Sequence, residues 1–572
     1  MDHIKWEKRS YDRTREKNFL SLGKSHLISR LLAQRNIEVE NAELFLSSDY
    51  NNLSHPHTLK GIKEAADLFC KVALRKGKIA CCSDYDCDGI LSGVMIKELC
   101  NIFHLSCNVF LPSRTEHGYG LNSYTIRDFK KQIRSIPDLL IICDCGTNNE
   151  KEIRELKEFG IPHVIILDHH IIDPDKISKS ADVLINWHQT NSQEMCACGE
   201  VFQFIRGIRW LTKKVDPIEF LSYTAIGTLA DVSPVIGDNR IIVKHGIQEH
   251  ALKRVMSSGL SALISNSRIY TSHLSQEDIM FKIVPRINAV GRLMKPNIAF
   301  QLMTENDLVM AELMAKKMED INNDRKKIQK QMEKEAFQMI YSNPNQYKYG
   351  VLLYNPTWPV GIVGVVASKI TDALRKPALI LGRNDFHNNI KGSGRSIENI
   401  HLKDILSSCH EMFESYGGHA MAVGIVLKPE YLEKANAMFN HACQQYYEKN
   451  GYPTGIQYYD AVLNPKAVTE VCAKELFENL YPYCSQFNPE PVFMLRNVVI
   501  TDVEENQYEG YKSLAFYASK NGEKTGIKFR MFNDEIGGEI EGTKADIYFS
   551  FPQTSKFNKY TYVNVVKFVP KK

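Results

Sequence analysis

Between residues 56 and 240 the hydrophobic positions fall in short unbroken runs: KIACCSD (78–84), LLIICDC (139–145) and HVIILDHH (163–170). Runs of this length that are apolar on both faces predict strands buried inside a parallel sheet. Amphipathic stretches separate them, among them NEKEIRELKEFG (149–160), a helix closed by Gly160. Strand–helix alternation implies βαβ units. Ligands of such sheets sit beyond the carboxyl ends of the strands. Each of the three runs ends in Asp or His.

Further along, residues 305–341 carry charge of both signs without Gly or Pro and predict one long helix, a spacer between two lobes. Its apolar spacing does not sustain a coiled-coil seam. GVLLYN (350–355), VGIVGVVASKITDAL (360–374) and PALILGR (377–383) predict strand, helix and strand of a second α/β unit. After about residue 455 come short aromatic runs: SLAFYAS (513–519), GIKFRMF (526–532), ADIYFSF (545–551) and YTYVNVVKF (560–568). Their Gly, Asn and Pro punctuation predicts a small OB-like barrel. Its aromatics either stack nucleobases or fill a core. The expected fold is therefore α/β: a parallel-sheet domain at 56–300 after an N-terminal segment (1–55), a connecting helix at 301–345, a smaller α/β domain at 346–452 and an OB-like barrel at 453–572.

Composition narrows the class. The 572 residues suggest three or four domains, at roughly 100–200 residues each. A net charge of +4 neither requires nor excludes a nucleic-acid partner, which needs only a local basic patch. The first 35 residues hold nine Lys/Arg against four Asp/Glu, either a phosphate-facing arm or a solvated surface. The fourteen cysteines are scattered, several inside apolar runs, as reduced thiols of a cytoplasmic protein would be. The opening MDHIKWEKRSYDR has no apolar core of a signal peptide. No apolar run reaches the roughly 18 residues that span a bilayer, so no membrane partner is expected.

The chemistry concentrates at the run ends. Asp84, Asp86 and Asp88 in SDYDCDGILSG place three carboxylates at alternate positions across a strand end and a turn, where Gly89 relaxes the backbone, and alternate residues on a strand share a face. Such crowding is unfavourable without a cation, and a hard divalent metal relieves it. A calcium loop would need Glu where Met95 stands. Asp144 ends the second run, and Asp168, His169 and His170 end the third. Asp231, in TAIGTLADVSP, closes a fourth apolar stretch. Carboxylates mixed with imidazoles suit two Mn²⁺ or Mg²⁺ ions and hydrolysis of a phosphodiester.

LDHH (167–170), DYDCDG (84–89), CDCGT (143–147) and TLADV (228–232) together resemble the motif set of the DHH/DHHA1 phosphoesterases. The DYD-x-DG form resembles the branch that digests single-stranded DNA from its 5′ end. SRTEHGYGLN (113–122), PRINAVGRL (285–293), WPVGIVGVVASKI (358–370), KGSGRS (391–396), GGHAMAVG (417–424) and FNPEP (487–491) extend the likeness over nearly the whole chain. CACGEVFQFIRG (196–207) matches more loosely, and FNPEP lacks the family's glycine-rich lead.

The resemblance implies roles. Asp86 and Asp88 are metal ligands with Asp84 beside them. Asp144 bridges the metals, His169 and Asp231 complete the second position, and His170 contacts the scissile phosphate or moves a proton. Arg114 grips the 5′ phosphate with Ser393 and Arg395, and His419 faces the substrate. Arg286 and Arg292 either track the DNA backbone or cross-link the lobes. The resemblance implies a 5′-to-3′ exodeoxyribonuclease of recombination and repair, with single-stranded DNA as substrate and single-strand binding protein and a helicase as partners. The competing readings are a DHH hydrolase of oligonucleotides, cyclic dinucleotides or pyrophosphate, and a non-catalytic DHH scaffold.

Overall fold

The computed structural model describes all residues except 1–4, 48, 191, 256, 270–273, 453–454, 486, 509–510, 533–539, 552–561 and 572. The expected boundary at 453 and the start of the last aromatic run, 560–561, fall outside the described residues.

The three apolar runs are central strands. β1 (Ile79–Ser83), β2 (Cys107–Phe110), β3 (Leu139–Cys143), β4 (Val164–Leu167) and β5 (Val183–Ile185) form a parallel sheet in the order β2-β1-β3-β4-β5. Every residue of β1, β3 and β4 is buried, which is why these strands are continuously apolar. Helix α1 (Cys87–Ile102) leaves β1 after a three-residue turn. Helices α2 (Ala197–Thr212), α3 (Leu221–Ala230) and α4 (Gly237–Gly246) pack over one side of the sheet, and α5 (Val284–Leu293) follows them.

The long charged segment is helix α6 (Leu308–Ser342). It begins later than the 305 expected from charge patterning because Asp307 caps it, accepting a hydrogen bond from the Met310 amide. Its two halves are buried in different places. Ala311, Ala315 and Met318 belong to the core of the first domain. Met332, Ala336 and Ile340 pack with Val351, Leu353 and Trp358 of the second.

That second domain holds β6 (Val351–Tyr354), helix α7 (Val363–Leu374), β7 (Ala378–Asn384), β8 (Asn389–Arg395), β9 (Phe413–Gly418) and β10 (Ala422–Leu427). The sheet order is β9-β10-β8-β7-β6, and only β6 and β7 run parallel.

The C-terminal strands are β11 (Phe493–Tyr508), β12 (Tyr511–Lys520), β13 (Lys528–Phe532), β14 (Lys544–Ser550) and β15 (Tyr562–Pro570). β11 pairs with both β12 and β14, β15 pairs with β14 and, in parallel, with β13, and β13 pairs with β12. The five strands thus close on themselves, as an OB-like barrel does. Phe516, Phe529 and Phe549 fill its core, while Phe532 is exposed and Tyr517 and Tyr562 are half-buried. Filling a core is thus the use the structure shows for Phe516, Phe529 and Phe549.

Two buried arginines fasten this region. Arg35 donates to Asn488 Oδ1 at 2.7 Å and to the Pro489 carbonyl at 2.5 Å, so the FNPEP segment is an anchor for the N-terminal helices. Arg240 in α4 donates to the carbonyls of Phe45, Asn479, Leu480, Tyr481 and Pro482. Among the described residues no helix is long and apolar enough to cross a membrane.

Candidate active site

The acidic residues converge beyond the carboxyl ends of β1, β3 and β4. Asp84 follows β1 directly. Asp86 is the N-cap of α1, accepting from the Gly89 amide at 3.1 Å, and Asp88 lies in that helix's first turn. The expected strand end and turn are present, and the turn opens a helix, so Asp86 and Asp88 stand on the helix start. A strand–turn–helix corner gathers them, and Gly89 is what lets it close. A Cβ there would lie 2.5 Å from the Asp84 carbonyl oxygen.

Asp144 adopts a left-handed backbone, φ 60°, at the end of β3. For a non-glycine residue this is strained and characteristic of functional sites. His169 stands between the acids: Nε2 is 3.2 Å from Asp144 Oδ1 and 4.0 Å from Asp88 Oδ2, and Nδ1 is 3.8 Å from Asp231 Oδ2. Three sets of ligand atoms each fall within 4.8 Å of one another: Asp84, Asp86 and Asp144; Asp88, His169 and Asp231; and Asp144, His169 and His170.

Burial, then the neighbouring Asp86, pushes the Asp84 carboxyl up to about 8. Asp144 is likewise raised, by burial and by Asp86, Asp88 and Asp84. Burial lifts Asp231 to about 6, against the pull of His169. Asp84 Oδ1 is buried without a hydrogen-bond partner among the described residues. Crowded, desolvated carboxylates with an imidazole among them fit a pair of hard divalent cations. Mn²⁺ and Mg²⁺ are the ions this donor set suits.

His170 forms a second line of contacts. Its Nδ1 is 2.6 Å from Asp168 Oδ1, and its Nε2 meets the Tyr119 hydroxyl. Burial opposes the imidazolium, but the Asp168 carboxylate outweighs it and holds His170 at about 9. Tyr119, Thr147, Asp168, His170 and His419 line a 760 Å³ cleft between the two α/β domains. His419 is exposed there, so it is not a core histidine. Across the cleft floor, Gly417 pairs with Gly424 and Gly424 with Ser393, a row without a large side chain.

Beside Asp84 the charge reverses. The Arg114 guanidinium lies 4.9 Å from the centroid of the Tyr85 ring. Burial, then Arg114 and Arg395, depresses Arg292 to about 9. Burial and Arg114 lower both Arg395 and Lys391. Lys391, Ser393 and Arg395 alternate along β8 and share its half-buried face. Ser393 Oγ and Arg395 Nη2 each lie 3.3 Å from the point where Gly364 would carry a Cβ, at the start of α7. Among the described residues none of Arg114, Arg292, Arg395 and Lys391 makes an ion pair with a carboxylate. Half-buried cations gathered without a carboxylate ion pair have the charge and donors to hold an anion.

Of the two arginines left open, Arg292 makes the contact between the lobes: its Nη1 donates to the Gly361 carbonyl at 3.1 Å, and it sits with Arg114 and Arg395. Arg286 is buried within the first domain, its Nε 2.5 Å from Glu319 Oε2 on the first half of α6, and it also donates to the Lys282 carbonyl. Sequence reasoning missed Tyr119 and Lys391. The i, i+2, i+4 spacing of Lys391, Ser393 and Arg395 on a strand was the available signal for the lysine.

Comparison with known proteins agrees. Residues 78–228 match the N-terminal domain of the DHH family, and residues 346–445 match the DHHA1 domain. The chain is 29% identical to the single-stranded-DNA-specific exonuclease RecJ of Bacillus subtilis over 508 residues, 88% of this chain but only 63% of that protein. It is 28% identical to RecJ of Haemophilus influenzae, over 83% of this chain and 84% of that one. The crystal structure of RecJ with Mn²⁺ from Thermus thermophilus superposes with a TM-score of 0.80 at 21% identity, over 100% of this chain and 80% of that one. A crystal structure of exonuclease RecJ bound to manganese gives 0.59 at 26% identity, over 69% of this chain and 96% of that one. With the motif residues gathered at one centre, the chain carries a DHH domain followed by a DHHA1 domain, the pair of domains of the phosphoesterases that its motifs resemble.

Proposed function

We propose that the protein is a 5′-to-3′ exonuclease that hydrolyses single-stranded DNA to mononucleotides. The observation that carries this reading is the abutment of an acid–imidazole centre, held by the first lobe, and a cationic pocket without carboxylate partners, built from both lobes. The pocket would seat a terminal phosphate, with Arg114, Arg395 and Arg292 supplying charge and Ser393 a hydroxyl donor. A phosphodiester one nucleotide further in would then reach Asp84, Asp86, Asp88, Asp144, His169 and Asp231.

Asp86, Asp88, Asp144, His169 and Asp231 would hold two ions, Mn²⁺ or Mg²⁺, which when bound polarise the phosphate and make water nucleophilic at neutral pH. Asp144, which belongs to two of the ligand sets, would serve both, with Asp84 beside it. The imidazolium of His170 binds a phosphate oxygen and gives its Nε2 proton to the departing 3′ oxygen, with Tyr119 orienting that nitrogen. Each cut leaves a new 5′ phosphate, the group the arginine pocket accepts, so the strand can advance by one nucleotide. His419 and the glycine row of the cleft floor line the nucleotide's path.

The barrel at 453–572 would guide the strand along an outer surface where Lys524 lies over Tyr517 and Arg530 over Tyr562. A role in DNA recombination and repair, with single-strand binding protein and a helicase as partners, suits such an activity. The fourteen free cysteines suit a reducing cytoplasm. The test is digestion of strands labelled at either end, with Mn²⁺ or Mg²⁺, by wild type and Asp88→Ala. Release from the 5′ end, blocked by a modified 5′ terminus and lost in the variant, is expected. Preferential cleavage of a dinucleotide over a long strand would reassign the substrate.

A further inference from the structure

Asp88 differs from the other acids of the centre in being gripped from behind. The Ala197 amide donates to its Oδ2 at 2.8 Å and the Cys198 amide to its Oδ1 at 2.9 Å. Both amides belong to the first turn of α2, whose unsatisfied N–H groups carry the positive end of the helix. The Cys198 thiol donates to the Asp88 carbonyl at 3.3 Å. Holding both carboxylate oxygens fixes the plane of the group. Oδ2 is also the oxygen 4.0 Å from His169 Nε2, so it faces the helix on one side and the centre on the other.

The third wall of this arrangement is Gly227. A Cβ there would lie 2.5 Å from Cys198 Sγ, 2.7 Å from Cys198 Cβ and 2.8 Å from Asp88 Oδ1. Helix α3 therefore lies flat against the hydrogen bonds, and any side chain at 227 must displace either α2 or the carboxylate. The Gly227 carbonyl also accepts from the Asp231 amide at 2.9 Å, so the same turn ends in another acid of the centre.

We propose that the first turn of α2 and Gly227 form a carboxylate clamp on Asp88, making Ala197, Cys198 and Gly227 positioning residues for one of the two cation positions. The clamp acts on the Asp88–His169–Asp231 set and leaves the Asp84–Asp86–Asp144 set untouched. This rests on the proposed two-cation centre.

The experiment is Mn²⁺ binding to the full chain, read from the electron paramagnetic resonance signal of free Mn²⁺, alongside thermal melting. Ala197→Pro is the sharpest variant. Proline is accepted at the first position of a helix, and Cys196, at φ −76° and ψ 175°, already has the extended backbone that precedes proline. Its ring carbon replaces the hydrogen aimed at Asp88 Oδ2. Ala197→Pro and Gly227→Ala are each expected to weaken one Mn²⁺ equivalent by roughly 10–100-fold, as loss of an outer-shell partner does, and to leave the other near wild type. Gly246→Ala is the packing control: its Cβ would lie 2.5 Å from the Leu221 carbonyl oxygen, crowding α3 away from Asp88. It should lower the melting temperature and keep both equivalents. If Gly227→Ala does not fold, Ala197→Pro decides alone. Folded variants that bind both ions like wild type would overturn the clamp, as would loss of the same equivalent in Gly246→Ala. A wild-type protein that binds no Mn²⁺ would remove the two-cation reading itself, and the clamp with it.

Discussion

The Nδ1 of His170 lies 2.6 Å from Oδ1 of Asp168, a carboxylate that is only 1% exposed. The pairing keeps the imidazole cationic up to about pH 9. Asp168→Asn removes the charge, so His170 should fall back toward the ordinary imidazole range. The deficit is then largest above neutrality and shrinks as pH falls, because acid reprotonates the ring. We expect a loss of roughly 10²-fold at pH 8, and a smaller one at pH 6, in nucleotide release from labelled single strands. An equal loss at both pH values would mean that Asp168 supplies orientation only.

Without metal, the centre should destabilise the fold as pH rises. Asp84 is held near 8 in the folded chain, far above its unfolded value. A carboxyl raised in this way contributes stability at acid pH and loses it as pH climbs to its folded value. The chelated protein should therefore melt progressively earlier between about pH 4 and 8, and added Mn²⁺ should reverse the trend. Asp144→Asn, which neutralises one crowded acid, should raise the melting temperature of the chelated protein by a few degrees and abolish most of the metal response.

Arg114→Ala should separate end recognition from chemistry. A strand with a 5′ phosphate should lose roughly 10²-fold in kcat/KM, as when about 3 kcal/mol of charge-assisted hydrogen bonding is removed. A strand with a 5′ hydroxyl, already lacking that partner, should lose much less. Equal losses on the two substrates would move the arginine out of the terminal-phosphate role.

The pair between Arg286 and Glu319 predicts a stability effect. Arg286→Ala strands a half-buried carboxylate and should cost roughly 3 kcal/mol in denaturant unfolding. Arg286→Ala combined with Glu319→Ala should cost less than the two single changes added, since neither charge is left alone. Strict additivity would dissolve the pairing.

The strand ends were legible in sequence because buried parallel strands are continuously apolar, so the polar residue that stops each run stands out. Asp144, Asp168 and His169 were found that way. Asp86 and Asp88 were found too, at a strand end and turn, but the helix that the turn opens was not read there, because a polar residue capping a helix and one in a turn look alike at alternate spacing. The partner of Arg286 was not legible. Glu319 sits on a different helix, and ion pairs between helices leave no periodic trace. Tyr119 reaches His170 from a loop, and loops carry no period either. In the barrel, alternation separates Phe516 from Tyr517 only once the register of β12 against β13 is known.

Helix α6 has one half sealed into each α/β domain. A helix so embedded behaves as a fixed gauge: bending it would expose apolar side chains on both flanks at once. In the proposed enzyme such a frame would hold Ser393 and Arg395 of the second domain at a constant reach from Asp144 of the first.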